Sequence, residues 1–145
     1  MFAFTSILTS CGGSGEAETK DSVVTEVKEV TEVKETVVAK DYSAGKAVYD
    51  AKCMACHQAN GEGMAGSFPP IAKADYLTKE TALAVAIKGL KGEITVNGTK
   101  YATEMPKVEM TDQEILDVSN YILNSFGNAI GEVTMEEVTA AKAKK

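Results

Sequence analysis

Two cysteines and a histidine stand together in the run Cys53-Met54-Ala55-Cys56-His57. On a helical turn, two thiols at this spacing can form thioethers to the two vinyl-derived positions of one haem, and the histidine beside the second thiol then falls under the iron. Residue types and spacing therefore point to covalent attachment of a c-type haem. Two other chemistries share the CxxC pattern. A structural zinc site takes four Cys, His or carboxylate ligands, usually as two pairs, yet Cys11 is the one further cysteine and His57 the one histidine. A thioredoxin-like dithiol belongs in the strand-to-helix turn of a βαβ unit, whereas the flanks here read as short helices joined by Gly-rich loops. Zinc and dithiol chemistry stand as alternatives to haem.

An iron bound by His57 on one face leaves the other face to be filled. With no second histidine, methionine is the natural donor, and the chain has six. Met1 belongs to the leading segment, Met54 lies inside the attachment motif, and Met135 falls in the tail. Met110 precedes a helix start in the position of a hydrophobic staple. Met64 follows His57 too closely to reach the opposite haem face without a tight detour. Met105 remains, followed by Pro106 in a loop that the next helix can hold rigid. It is the expected second ligand, the alternative being a methionine that fills core space.

The elements that must position these residues can be read on either side. Ser43 can cap a helix running through Gly45, Ala47, Val48 and Tyr49 to about Ala51, directly upstream of Cys53. After His57 the run Asn60-Gly61-Glu62-Gly63-Met64-Ala65-Gly66 and the pair Pro69-Pro70 predict an irregular loop that wraps something. Thr78 is placed to cap a helix with Leu83, Ala86, Ile87 and Leu90 along one face, ended by Gly89 or Gly92. A turn-rich loop with Asn97-Gly98 and Tyr101 follows. Thr111-Asp112-Gln113-Glu114 reads as a capping box. The helix it opens carries Ile115, Val118 and Ile122 as one stripe and stops at Phe126-Gly127.

Four segments are expected. Residues 1–15 resemble the end of an export signal, with Leu8-Thr9-Ser10-Cys11 similar to a bacterial lipobox whose cysteine is lipidated. Residues 16–41 are a low-complexity linker in which VTEVKE occurs twice in succession, read as a solvated spacer reaching roughly 30 Å as a flexible coil. Residues 42–131 form the folded domain, and residues 132–145 a frayed or loosely packed helical tail. All fifteen basic residues are lysine and the net charge is −6, which excludes nucleic acid as a partner class. Between residues 42 and 131 eight lysines face ten carboxylates. A mixed surface of that kind predicts only mild salt dependence of partner reaction.

Cys53-Met54-Ala55-Cys56-His57, then Phe68-Pro69-Pro70, then Gly89 through Val96-Asn97-Gly98 and Tyr101 to Met105-Pro106, then Asp112 through Tyr121 to Gly127-Asn128, occur in the order found in class I monohaem bacterial cytochromes c. From Tyr42 to Asn128 the sequence resembles that family. The resemblance implies an all-α cytochrome c fold of three main helices with loops wrapped around the haem, the first and last helices crossing near Gly45 and Tyr121. It also implies that the Pro70 carbonyl accepts a hydrogen bond from the His57 ring. With both axial positions filled, the expected activity is not enzymatic: it is one-electron transfer by a high-potential haem in the bacterial cell envelope. The expected partners are a membrane or periplasmic donor and a terminal oxidase or reductase, and the expected location is the periplasm or envelope, anchored by lipidated Cys11. The rival readings are catalysis or gas sensing at an open sixth position, and an electron-entry module docked to a larger dehydrogenase.

Overall fold

The computed structural model describes residues 40–144. Cys11 and residues 16–39 of the linker lie outside the described residues, as does Lys145. Helix α1 spans Ser43–Lys52, the single turn α2 Met54–His57, α3 Lys79–Lys88, α4 Asp112–Asn124 and α5 Met135–Ala143; β1 (Ile94–Val96) and β2 (Thr99–Tyr101) form a two-stranded hairpin. The fold is mostly helical, with α1, α3 and α4 as the expected main helices and the hairpin and α5 added to them.

Local chemistry sets the helix ends. Thr78 and Thr111 each accept a hydrogen bond from the backbone N–H three residues on, while Thr81 and Glu114 reach back to the capping N–H. At α1 the expected Ser43 cap is not formed: Ser43 is itself the first helical residue, Tyr42 holds the cap position without a side-chain hydrogen bond, and the Asp41 carboxylate accepts the Ser43 N–H at 2.8 Å.

α1 packs across α4 at Gly45. A methyl group there would lie 2.1 Å from the Asp117 carbonyl oxygen and 2.7 Å from Tyr121 Cβ, so only glycine admits this approach. Beside the crossing, fully buried Tyr49 meets the Tyr121 and Phe126 rings at centroid distances of 5.6 and 5.1 Å. Its hydroxyl donates to the Gln58 carbonyl at 2.7 Å, tying α1 to the end of the haem motif. The helix crossing α1 is thus α4, as expected at Gly45 and Tyr121, but it is not the last.

The segment expected as a loose tail is part of the core. Thr134 and Glu137 build a third capping box. Val133 and Val138 are buried with Leu83, Ala86, Ile115 and Leu123 in one apolar cluster. Asn120 fixes the approach, its side-chain amide donating to the Val133 carbonyl and accepting the Val133 N–H. The loop holding Asn97-Gly98 is also more regular than expected. It is a hairpin in which Ile94 pairs with Tyr101 and Val96 with Thr99, turned by Asn97 and Gly98, both at positive φ.

Candidate haem site

A cavity is lined by residues from α2, α3, both strands, α4 and the loops between them. Its walls are mainly apolar, with Leu77, Val85, Ile94, Val96, Val118 and Ile122 among them. Cys53, Cys56, His57 and Met105 all line it. This single apolar chamber therefore receives two thiols, an imidazole and a thioether.

His57 is held by the loop that follows it. Its Nδ1 lies 3.0 Å from the Pro69 carbonyl oxygen, and because a carbonyl only accepts, Nδ1 carries the proton and Nε2 keeps its lone pair. Burial pushes the imidazole pKa below its ordinary 6.5, against the opposing pull of the Pro69 bond, so the ring is held in the neutral form a metal ligand needs. The acceptor is Pro69 rather than the expected Pro70. Pro70 lines the cavity, but the loop places the preceding carbonyl at Nδ1, and two adjacent prolines in a sequence do not reveal which one faces the ring. Gly63 permits this: at φ 66°, it packs so closely that an added methyl would lie 2.4 Å from the Phe68 oxygen and 2.6 Å from the Pro69 oxygen. The same loop is fastened at its far end by Asn128, whose amide donates to the Ile71 and Ile122 carbonyls and accepts the Lys73 N–H.

Met105 is positioned by backbone. It exchanges two hydrogen bonds with Leu90, 2.9 Å in each direction, just past the end of α3. Gly89, at φ 72°, makes the approach possible, since a methyl there would meet the Met105 oxygen at 2.4 Å. Of the other methionines considered, Met110 also lines the cavity, and it packs on the apolar cluster as a staple residue should. Met64 is about half exposed and bridges to Phe68.

The donor set fits a haem and fits the alternatives poorly. Among the described residues no three His, Cys, Asp or Glu side chains are grouped so as to hold a metal ion, which leaves zinc without its ligands. Burial pushes the Cys53 thiol up to about 11, with neighbouring Lys52 opposing and Cys56 adding to the shift; a redox dithiol needs its attacking thiol shifted down. An imidazole and a thioether lining one mainly apolar chamber match iron held between His and Met.

The cytochrome c family model matches residues 42–126. The chain belongs to the cytochrome c family. Cytochrome c-552 of Thermus thermophilus is 39% identical over 113 residues, covering 70% of this chain and 86% of that one. The cytochrome c subunit of the quinone alcohol dehydrogenase of Gluconacetobacter polyoxogenes is 33% identical over 100 residues. The fructose dehydrogenase cytochrome subunit of Gluconobacter japonicus is 26% identical over 106 residues. In these two the match covers 21% and 22% of the relative, against 66% and 68% of this chain. The chain is a class I monohaem cytochrome: it binds one covalent haem c and transfers electrons through it.

Sequence reading did not find Pro69, Leu90 or Gly89 as positioning residues of this cytochrome. Pro69 and Leu90 act through their backbones, which leave no side-chain signature. Helix α5 lies beyond the matched region, yet Thr134-Met135-Glu136-Glu137 repeats the Thr-x-x-Glu pattern that located α4 and was there to be read.

Proposed function

We propose that Cys53 and Cys56 form the two thioether links, that His57 Nε2 and the Met105 sulfur are the axial ligands, and that the protein works as a one-electron carrier and not as an enzyme. What carries this reading is that His57 and Met105 are each fixed by a hydrogen-bonded backbone, one through Pro69 and the other through Leu90, and line the same apolar cavity. The haem supplies a reversible ferric–ferrous couple. The chain's own part is to fill both axial positions, exclude water from the chamber and hold the His57 proton on Nδ1. Thioether ligation and burial favour the less charged ferrous state, which raises the potential and suits delivery toward a terminal oxidase or reductase.

The proposed setting is the bacterial cell envelope or periplasm, with lipidated Cys11 as the anchor and residues 16–41 as the tether. That part rests on the sequence of residues 1–41. Among the described residues no helix is long and apolar enough to cross a membrane. A second reading, an electron-entry module serving a larger dehydrogenase, is favoured by the dehydrogenase subunits among the relatives. It predicts loss of function on deleting residues 16–40 and slow exchange with soluble partners; a freely reacting truncated domain supports the carrier.

The test of the ligand set is the visible spectrum of the haem-loaded protein, ferric and ferrous, with and without carbon monoxide, for wild type and Met105→Ala. The wild type is expected to show the weak long-wavelength band of ferric iron–thioether bonding and to ignore carbon monoxide, and the variant to lose both properties. A wild type that binds carbon monoxide, with an unchanged variant, would replace the carrier with catalysis or sensing at an open sixth position.

A further inference from the structure

Gln58, the residue after His57, turns the chain out of α2 at φ 63° and ψ 165°. That backbone region is in practice glycine's own, because a Cβ there crowds the flanking peptides. A glutamine persists in it only where the surroundings over-determine it. Here its N–H reaches the Met54 carbonyl at 2.9 Å, and its own carbonyl accepts two donors, the Gly61 N–H at 3.2 Å and the Tyr49 hydroxyl at 2.7 Å. The hydroxyl is the one side-chain donor of the three and comes from a different helix, α1. Tyr49 is fully buried, and the Tyr121 and Phe126 rings packed on it fix the direction of its hydroxyl. Burial also pushes the phenol pKa up, so the donor keeps its proton.

The strained turn is the platform of the loop that follows. Gly63 donates its N–H to the His57 carbonyl at 3.0 Å, and the Gly61 carbonyl accepts the Ile71 and Ala72 N–H groups at 2.7 and 2.9 Å. Residues 57–63 thus carry the loop whose Pro69 carbonyl accepts the His57 Nδ1–H. Phe126 lies against this platform, so close that a methyl added to Gly61 would stand 2.9 Å from its ring. A line of contacts therefore runs from the Tyr49 hydroxyl through the Gln58 carbonyl and Gly61 to the acceptor of the imidazole.

We propose that Tyr49 is a positioning residue of the haem site: its hydroxyl latches the strained peptide at Gln58 and thereby sets the strength of the hydrogen bond that His57 gives to Pro69. The proposal rests on the haem reading above, with His57 as an axial ligand. The Tyr49 ring packs α1 on α4, whereas the hydroxyl alone holds the turn, so phenylalanine separates the two roles. Without the latch Gln58 relaxes toward ordinary backbone, the Pro69 acceptor withdraws, and the imidazole donates less to ferric iron. The test compares haem-loaded wild type, Tyr49→Phe, Gln58→Gly, the double variant, and Tyr121→Phe as a control that removes another hydroxyl of the same ring cluster. Midpoint potential is measured by titration, and exchange of the His57 Nδ1 proton by NMR of the ferrous protein. Tyr49→Phe is expected to raise the potential and to speed exchange about tenfold, the factor that one net hydrogen bond supports. Gln58→Gly removes the strain that the latch opposes, so this variant and the double variant both keep values near wild type, as does Tyr121→Phe. Unchanged values in Tyr49→Phe overturn the latch. So does a double variant shifted as far as Tyr49→Phe, or an equal shift in Tyr121→Phe. If Tyr49→Phe fails to accumulate, Gln58→Gly with and without the Tyr49 hydroxyl decides: matching values support the latch and differing values overturn it. Failure of the underlying haem reading is separate: there the wild type itself binds carbon monoxide.

Discussion

His57 Nδ1 donates to the carbonyl oxygen of Pro69 across 3.0 Å. The acceptor belongs to the main chain, so no side-chain substitution at Pro69 removes it. What can move it is Gly63, whose missing side chain leaves room for the Phe68 and Pro69 carbonyls. Gly63→Ala is expected to displace the Pro69 oxygen, weaken the bond and reduce the electron donation of the imidazole. Ferric iron is then less stabilised and the midpoint potential rises, as potentiometric titration would show. A potential equal to wild type in a folded variant counts against this role for Gly63.

On the side of the proposed second ligand, Met105, the sensitive position is Gly89. Gly89→Ala places a methyl 2.4 Å from the Met105 oxygen on a residue at φ 72°, so the Leu90–Met105 pairing must open. The ferric iron–thioether band is expected to weaken and the ferrous protein to take up carbon monoxide, with Met105 itself unaltered. A variant that keeps the band and refuses carbon monoxide would show that the pairing does not hold the ligand.

Helix α5 belongs to the stability of the domain. Val138 is fully buried, and at roughly 0.8 kcal/mol per buried methylene, with the cavity left behind added, Val138→Ala is expected to cost about 2 kcal/mol. For a domain of this size that lowers the melting temperature by about 8–16 °C, at about 4–8 °C per kcal/mol. Thermal unfolding followed by far-ultraviolet circular dichroism measures it; a shift under about 2 °C would return this segment to the status of a loose tail.

Glu114 is a capping carboxylate expected to contribute to the acid limb of stability. The Thr111 backbone N–H first, and Lys52 second, hold the Glu114 carboxyl below its ordinary 4.5. A carboxylate with a depressed folded-state pKa contributes stability that is present above 4.5 and lost as pH falls through the folded value. Stability is therefore expected to be flat between pH 7 and 5 with respect to this group and to decline below 4.5. Glu114→Gln should flatten that decline in denaturant titrations run at several pH values; an unchanged pH profile would exclude the capping box as its source.

Those features of the fold that one short stretch of chain dictates could be read in the sequence. The Thr78 and Thr111 caps are settled within four residues by side chain and backbone N–H. The CxxCH run places two thiols and an imidazole through helix geometry alone, and the scarcity of other donors singled out Met105, which lines the same cavity. The hairpin was harder to read because three-residue strands are too short to display a period, although Asn97-Gly98 marked its turn. Pro69 over Pro70 depends on the rotation of one peptide plane, fixed by Gly63 across the loop, and no local pattern encodes it. The two hydrogen bonds between Asp75 and Asn97 join residues 22 apart, and each of these residues reads alone as an ordinary turn residue.

Leu90 and Met105 close the chain between them into a ring, fastened at its base by their two hydrogen bonds and at its tip by Asn97. Everything inside that ring, including β1 and β2, begins and ends at one point next to α3. The segment is in effect a replaceable cassette. Exchange of residues between 91 and 104 alters the wall that Ile94, Val96 and Tyr101 give the cavity, while the ends of the segment stay where Leu90 and Met105 fix them. Natural drift and protein engineering therefore have a modular handle on this cytochrome, provided that any replacement restores the pairing of Leu90 with Met105 and the two bonds between Asn97 and Asp75.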